Sequence, residues 1–251
     1  MNPTDLSNAL IYGIPLITCI GYGYESLMAC RGRLLGQSPL TPPPFEFEGN
    51  LSMLQRNGLQ LSVADSKERR AAARDLVRRR YEWRGYGTAE SGDRRSTAAR
   101  SANEITFIVE DKRTTVGTVT LGLDGPRGLL AELTHDRVIA EVRDSGRKVC
   151  ELTRLAIAES ADFKSVLGSL LGLAHYVGRS MHDVSDVFIE VNPRHVSFYS
   201  RVLGFVVAAT ERVCERVCAP SVLLRLELDA LEDRLQRAGM GQMTVPLSQA
   251  A

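Results

Sequence analysis

Residues 163–181 constrain the fold more than any other stretch. Phe163, Val166, Leu167, Leu170, Leu171, Ala174, Val177 and Met181 recur at i, i+3, i+4 and i+7, the spacing that lays one apolar stripe along a helix. A stripe this continuous has to be covered, and its neighbours show by what. Residues 149–157 and 187–191 are short runs rich in Val, Leu, Ile and Phe, the composition of strands. The long helix is therefore expected to lie on a sheet.

The other segments extend that picture. Residues 59–64 alternate apolar and polar side chains as a strand, and residues 67–84 place Ala73, Leu76, Val77 and Tyr81 on one helical stripe. The polar, glycine-containing residues 85–103 read as a loop. Residues 105–110 and 115–123 form a hairpin about Asp111-Lys112-Arg113, and Asp124-Gly125-Pro126 turns the chain toward a helix within 129–143. A short helix over 195–202 ends at Gly204, suited to a left-handed cap. Strands at 205–213 and 222–228 and a polar helix at 229–237 follow. The order β-α-β-β-α-β-α-β-α-β-β predicts an α+β fold, a mixed, mostly antiparallel sheet of about 6–7 strands with helices on both faces.

A boundary precedes this unit. Ser38-Pro39-Leu40-Thr41-Pro42-Pro43-Pro44 favours an extended path and cannot continue a helix. It divides an N-terminal segment, 1–50, from a domain over 51–238, with a tail at 239–251. Residues 9–20 are rich in apolar side chains, but Gly13 and Pro15 interrupt them and the run is about half the ~20 residues a membrane-spanning helix needs. No Lys or Arg precedes it, which argues against a signal peptide. It is expected to pack on the domain or a partner, or to touch a membrane loosely.

Composition excludes several functions. With 31 Lys+Arg against 30 Asp+Glu, the chain lacks the basic excess of a general nucleic-acid binder. Its five cysteines are odd in number and contain no CxxC pair, so reduced thiols in a cytoplasmic protein are expected rather than a disulfide framework or zinc site. His135, His175 and His182 have no metal-ligand spacing. No GxGxxG or GxxxxGK[ST] accompanies a strand. Neither a metal nor a permanently bound cofactor is expected.

Three motifs carry a resemblance. Phe188-Ile189-Glu190-Val191-Asn192-Pro193-Arg194-His195, with Phe198-Tyr199 and Gly204-Phe205, is similar to the strand-to-helix passage of GNAT acyltransferases, and in particular of the long-chain N-acyl amino acid synthases. Glu151-Leu152-Thr153-Arg154-Leu155-Ala156 resembles the Glu-x-x-Arg-x-Ala strand those synthases share with acyl-homoserine lactone synthases. Arg78-Arg79-Arg80-Tyr81 with Gly85-Tyr86 is similar to their first helix. The resemblance spans about residues 60–228 and implies a GNAT-like sheet with splayed central strands, the pantetheine arm of the donor entering the gap.

Departures from the family patterns narrow the choice. Coenzyme-A-dependent members have an Arg/Gln-x-x-Gly-x-Gly/Ala loop opening the long helix, which holds a diphosphate on backbone N–H groups. Aligning Gly168 with its central glycine puts Ser165 and Leu170 at the flanking positions, a poor diphosphate cradle. An acyl carrier protein presents phosphopantetheine alone and needs none. Lactone synthases carry an arginine where this chain has Thr120. The resemblance therefore implies transfer of a long-chain acyl group from acyl carrier protein to an amino acid's α-amine. An acyl-homoserine lactone synthase, a coenzyme-A-dependent acetyltransferase and a non-catalytic module binding carrier protein or acyl chain are the alternatives.

Amide formation from a thioester needs an acceptor for the ammonium proton, donors for the tetrahedral oxyanion and a proton for the leaving thiolate. Glu151 is the candidate base or amine-orienting group, or else simply neutralises Arg154. Arg154 is a candidate for the acceptor's carboxylate, or is structural. Strict alternation separates the two residues onto opposite faces, unless a bulge intervenes. The backbone N–H groups of Leu155 or Ala156 are candidate oxyanion donors. Tyr199 stands where relatives place the acid for the departing sulfur, or packs in the core. Asn192 and His195 are candidates to line the gap, His195 equally as a turn-stabilising residue. Residues 67–100 hold 11 Lys/Arg and 5 Asp/Glu, and Arg70, Arg74 and Arg78 form a stripe suited to docking an acidic carrier protein or to simple solvation.

Overall fold

The computed structural model describes residues 54–56, 58–83, 103–214 and 219–239. The N-terminal segment with its proline-rich linker, most of the 85–103 loop and the tail beyond 239 lie outside the described residues.

One sheet organises the chain. Its strands are β1 (Leu54–Arg56), β2 (Leu59–Val63), β3 (Glu104–Asp111), β4 (Thr114–Leu123), β5 (Val149–Ile157), β6 (Asp186–Val191), β7 (Val206–Cys214) and β8 (Ala219–Glu227), in the spatial order β1-β2-β3-β4-β5-β6-β8-β7. Every pairing is antiparallel except β5 with β6. The mixed, mostly antiparallel sheet expected from the sequence is present, with the three-residue β1 added at one edge.

Helices cover both faces. On one lie α1 (Lys67–Glu82) and α2 (Glu132–Asp144); on the other lies α3 (Phe163–His175), with α4 (Leu231–Arg237) beside it. The Ser66 side chain caps α1 by accepting the Arg69 N–H at 3.1 Å, which satisfies one of the open donors of the first turn. The α3 stripe behaves as its spacing requires: Val166, Leu167 and Leu170 are fully buried on the sheet, each worth roughly 1.5–3 kcal/mol. The stripe runs further than the regular helix. Beyond His175 the chain widens into a π turn, Tyr176–Met181, and Met181, the last residue of the pattern, is 44% exposed. The helix expected over 195–202 is likewise three short turns: a 3-10 turn Pro193–His195, an α turn Val196–Phe198 and a π turn Tyr199–Leu203, closed by Gly204 at φ 80°.

Candidate active site

The parallel pair at the middle of the sheet is short. β5 and β6 are registered at Val149–Asp186, Cys150–Val187 and Glu151–Phe188, and at no later residue, although β5 runs on to Ile157 and β6 to Val191. The central strands part just past Glu151. Asp186 locks the closed end: it accepts from Arg147, from the Ser185 hydroxyl at 2.6 Å and from Arg225 Nε at 2.7 Å. Burial pushes its carboxyl up, but these donors outweigh burial and hold it below its ordinary value.

A bulge reorganises β5 at the split. Thr153 pairs with Thr120 and Ala156 with Thr118, so Arg154 and Leu155 together face Val119, and Arg154 adopts φ 52°. The extra residue inverts the alternation. Cys150, Leu152, Leu155 and Ile157 all join the core cluster under α3, whereas Val149 packs with the α2 cluster and Ala156 with α1. Glu151, Thr153, Arg154 and Ala156 thus share the α1/α2 face. Leu155 points the other way.

Each charged group is held separately. The buried Glu151 carboxylate accepts the Leu130 N–H at 2.8 Å and the Ala131 N–H at 3.0 Å, open donors at the start of α2 where the helix dipole favours negative charge. Gly122 leaves it room, since a Cβ there would lie 3.0 Å from Glu151 Cγ. Arg154 forks onto Glu104, with Nη1–Oε2 at 2.8 Å and Nη2–Oε1 at 3.3 Å. Burial works against its charge, and Glu104 outweighs that, raising its pKa. The Thr106 and Thr120 hydroxyls bond at 2.9 Å on the same face.

Tyr199 fills the core beside the split. It is 2% exposed, with Phe198 and Phe205 edge-on at ring separations of 5.4 and 5.9 Å. Its buried hydroxyl has no hydrogen-bond partner among the described residues. Burial, and secondarily the Tyr81 phenol, push its pKa up, so it stays protonated. Tyr81, on α1, packs in one cluster with Ala156 of β5, which puts α1 over the site. Asn192 and His195 sit in the following turn. Asn192 Oδ1 accepts the Arg194 N–H at 3.3 Å and its Nδ2 reaches Pro220 O at 3.5 Å; His195 is buried, its N–H donating to Asn192 O at 2.9 Å. Their visible work is closing the turn.

The arginine stripe is on the surface of α1. Arg70 Nη1 donates to Asp65 O at 2.7 Å, Arg78 is flanked by Asp75 and Glu82 at 3.5 Å each, and Arg74 makes no ion pair among the described residues. Sequence reasoning missed Glu104, Tyr81's place at the site, and the buried Glu190 of β6, which shares the α2 face with Phe188. Glu190 stood inside the quoted motif and was not singled out. No group of three or more His, Cys, Asp or Glu suited to a metal occurs among the described residues, and no described helix is long and apolar enough to cross a membrane.

A mixed sheet split between parallel central strands, with helices on both faces, is the fold of the GNAT acyltransferases. The structure of FeeM, an N-acyl amino acid synthase from uncultured soil microbes, superposes with a TM-score of 0.63 at 24% identity, over 73% of this chain and 98% of that one. The acyl-homoserine lactone synthase LasI gives 0.52 at 14%, over 74% and 96%, and Mycobacterium smegmatis RimJ in complex with CoA-disulfide gives 0.50 at 12%, over 74% and 91%. At these identities the likeness is one of fold. The sequence also matches the FeeM N-acyl amino acid synthase family over residues 72–227, more than half its length. The chain belongs to that family. No curated protein matches it.

Proposed function

We propose that this protein transfers a long-chain acyl group from acyl carrier protein to the α-amine of an amino acid. One observation carries the reading: beyond the split, the two faces of β5 and β6 differ in polarity. Leu152, Leu155, Ile157, Ile189 and Val191 belong to the apolar core under α3, while Glu151, Thr153, Arg154 and Glu190 lie on the other face. An N-acyl amino acid has the same division, an apolar tail joined to a charged head.

The roles follow from that placement. Glu151, fixed by two backbone N–H groups, orients the acceptor's ammonium and takes its proton, directly or through water. Arg154 meets the acceptor's carboxylate. The freed amine attacks the thioester carbonyl, the C–N bond forms, and N–H groups of the unpaired edge of β5 at Leu155 or Ala156 stabilise the oxyanion. As the C–S bond breaks, Tyr199, kept neutral by burial, gives the sulfur a proton and regains one from the nitrogen of the tetrahedral adduct, which loses its second proton as the amide forms. Asn192 and His195 shape the turn at the mouth of the gap.

The carrier-borne donor has its own support. Asp162 and Ser165 bond to each other at the start of α3, where a coenzyme A diphosphate would need an anion-accepting turn. Arg70, Arg74 and Arg78 present positive charge to an acidic carrier. Phosphopantetheine enters as part of the donor.

Mass spectrometry of lipid extracts from a bacterial host expressing the protein tests this directly. N-acyl amino acids are expected. Acyl-homoserine lactones or acetylated amines would identify a different transferase, and no new acylated amine would sink the reading in favour of a non-catalytic binding module. Glu151→Gln should cut product formation at least about 100-fold.

A further inference from the structure

The first turn of α2 is hydrogen-bonded to one strand of the split and packed close against a carboxylate of the other. From β5, Glu151 takes the Leu130 and Ala131 N–H groups. From β6, Glu190 Oε1 lies 3.8 Å from His135 Nε2, and the two residues are 2% and 1% exposed. The Ser221 hydroxyl of β8 donates to the same oxygen at 3.4 Å.

Local geometry is adapted to this. His135 has a non-helical backbone, φ −134° and ψ 38°, within α2. The residues before it bond i to i−3, with Leu133 N–Leu130 O at 3.1 Å and Thr134 N–Ala131 O at 3.2 Å. Tight winding is common in the first turn of a helix, and the kink at His135 follows directly on it. Here it brings the imidazole down onto β6. Arg212 of β7 steadies the turn by donating to Thr134 O at 2.8 Å.

We propose that His135 and Glu190 are a positioning pair for acyl transfer. With Glu151 they make α2 a crosspiece over the split, holding the polar sides of β5 and β6 at the separation the acceptor amino acid requires. Neither residue has to touch substrate. The consequence for acceptor binding rests on the acyl-transfer reading; the crosspiece itself does not.

Two measurements separate these. In the free protein, Glu190→Gln and His135→Leu should each speed amide exchange at Leu130 and Ala131 by about 10-fold, since the turn then opens without global unfolding. In the acyl-transfer assay both should raise the KM for the acceptor about 10-fold while kcat and the donor KM stay within about 2-fold, and His135→Gln, which keeps a polar side chain of similar reach beside Glu190, should raise it less than His135→Leu. Should Glu190→Gln fail to fold, Ser221→Ala is the milder version, expected at about 3-fold in the same direction. Unchanged exchange in the folded variants overturns the crosspiece. Faster exchange with an unmoved acceptor KM overturns its role in positioning. Absence of acylated product from the unaltered protein counts against the acyl-transfer reading alone, because exchange still decides the crosspiece.

Discussion

A buried hydroxyl without a partner costs stability, and Tyr199 retains one. Tyr199→Phe removes it and keeps the ring between Phe198 and Phe205. Stability by urea unfolding should hold or rise by up to about 1 kcal/mol. Turnover should fall roughly 10–100-fold if the phenol supplies the sulfur's proton. A variant that loses both in step would mark the residue as packing only. Gly122 offers the complementary case. Its replacement by alanine intrudes on Glu151 and should cost turnover at least about 10-fold through a displaced carboxylate, a change visible in kcat with the thermal midpoint little altered.

At the scale of elements, the clearest close approach is between β4 and α3. A Cβ on Gly117 would come within 2.3 Å of Val166 Cγ1 and 3.2 Å of Leu170 Cδ1. Gly117→Ala should therefore destabilise by about 1–3 kcal/mol with the activity per folded molecule unchanged. These elements were legible because their signals are local: the 3.6-residue stripe of α3, the alternating and apolar runs of the strands, Gly204 at a helix end. β1 was not, because three residues carry no period. Nor did the stripe reveal that α3 loosens after His175, since apolar spacing does not distinguish an α turn from a π turn. The bulge matters most. Alternation places Glu151 and Arg154 on opposite faces, and an arginine at positive φ gives no residue-type warning of a bulge, as glycine would. The His135–Glu190 pair was equally hidden, a contact between residues far apart in sequence that no spacing rule relates.

For the molecule as a whole, charge divides into a lock and a surface. The Asp186 pKa is lower in the folded chain than in the unfolded one, so its stabilisation is present above about pH 4, the ordinary carboxylate value, and is lost as pH falls through the depressed folded value. Asp186→Asn should cost about 2–3 kcal/mol near neutrality, and the gap between variant and parent should close on acidification. A gap constant with pH would exclude the charge as its source. On the surface, Arg74→Glu should leave stability within about 0.5 kcal/mol and lower kcat/KM with an acyl carrier protein. That loss should be largest at low ionic strength, where exposed charges act furthest; equal losses at all salt concentrations would argue against docking by charge.

The short ladder between β5 and β6 also gives the sheet a mechanical grain. Six registered pairs join β4 to β5 and six join β6 to β8, against three across the middle. Tension applied between β4 and β8 would load that middle line hardest per bond, so the sheet should tear there first, into two flaps still joined through α2 on one face and α3 on the other.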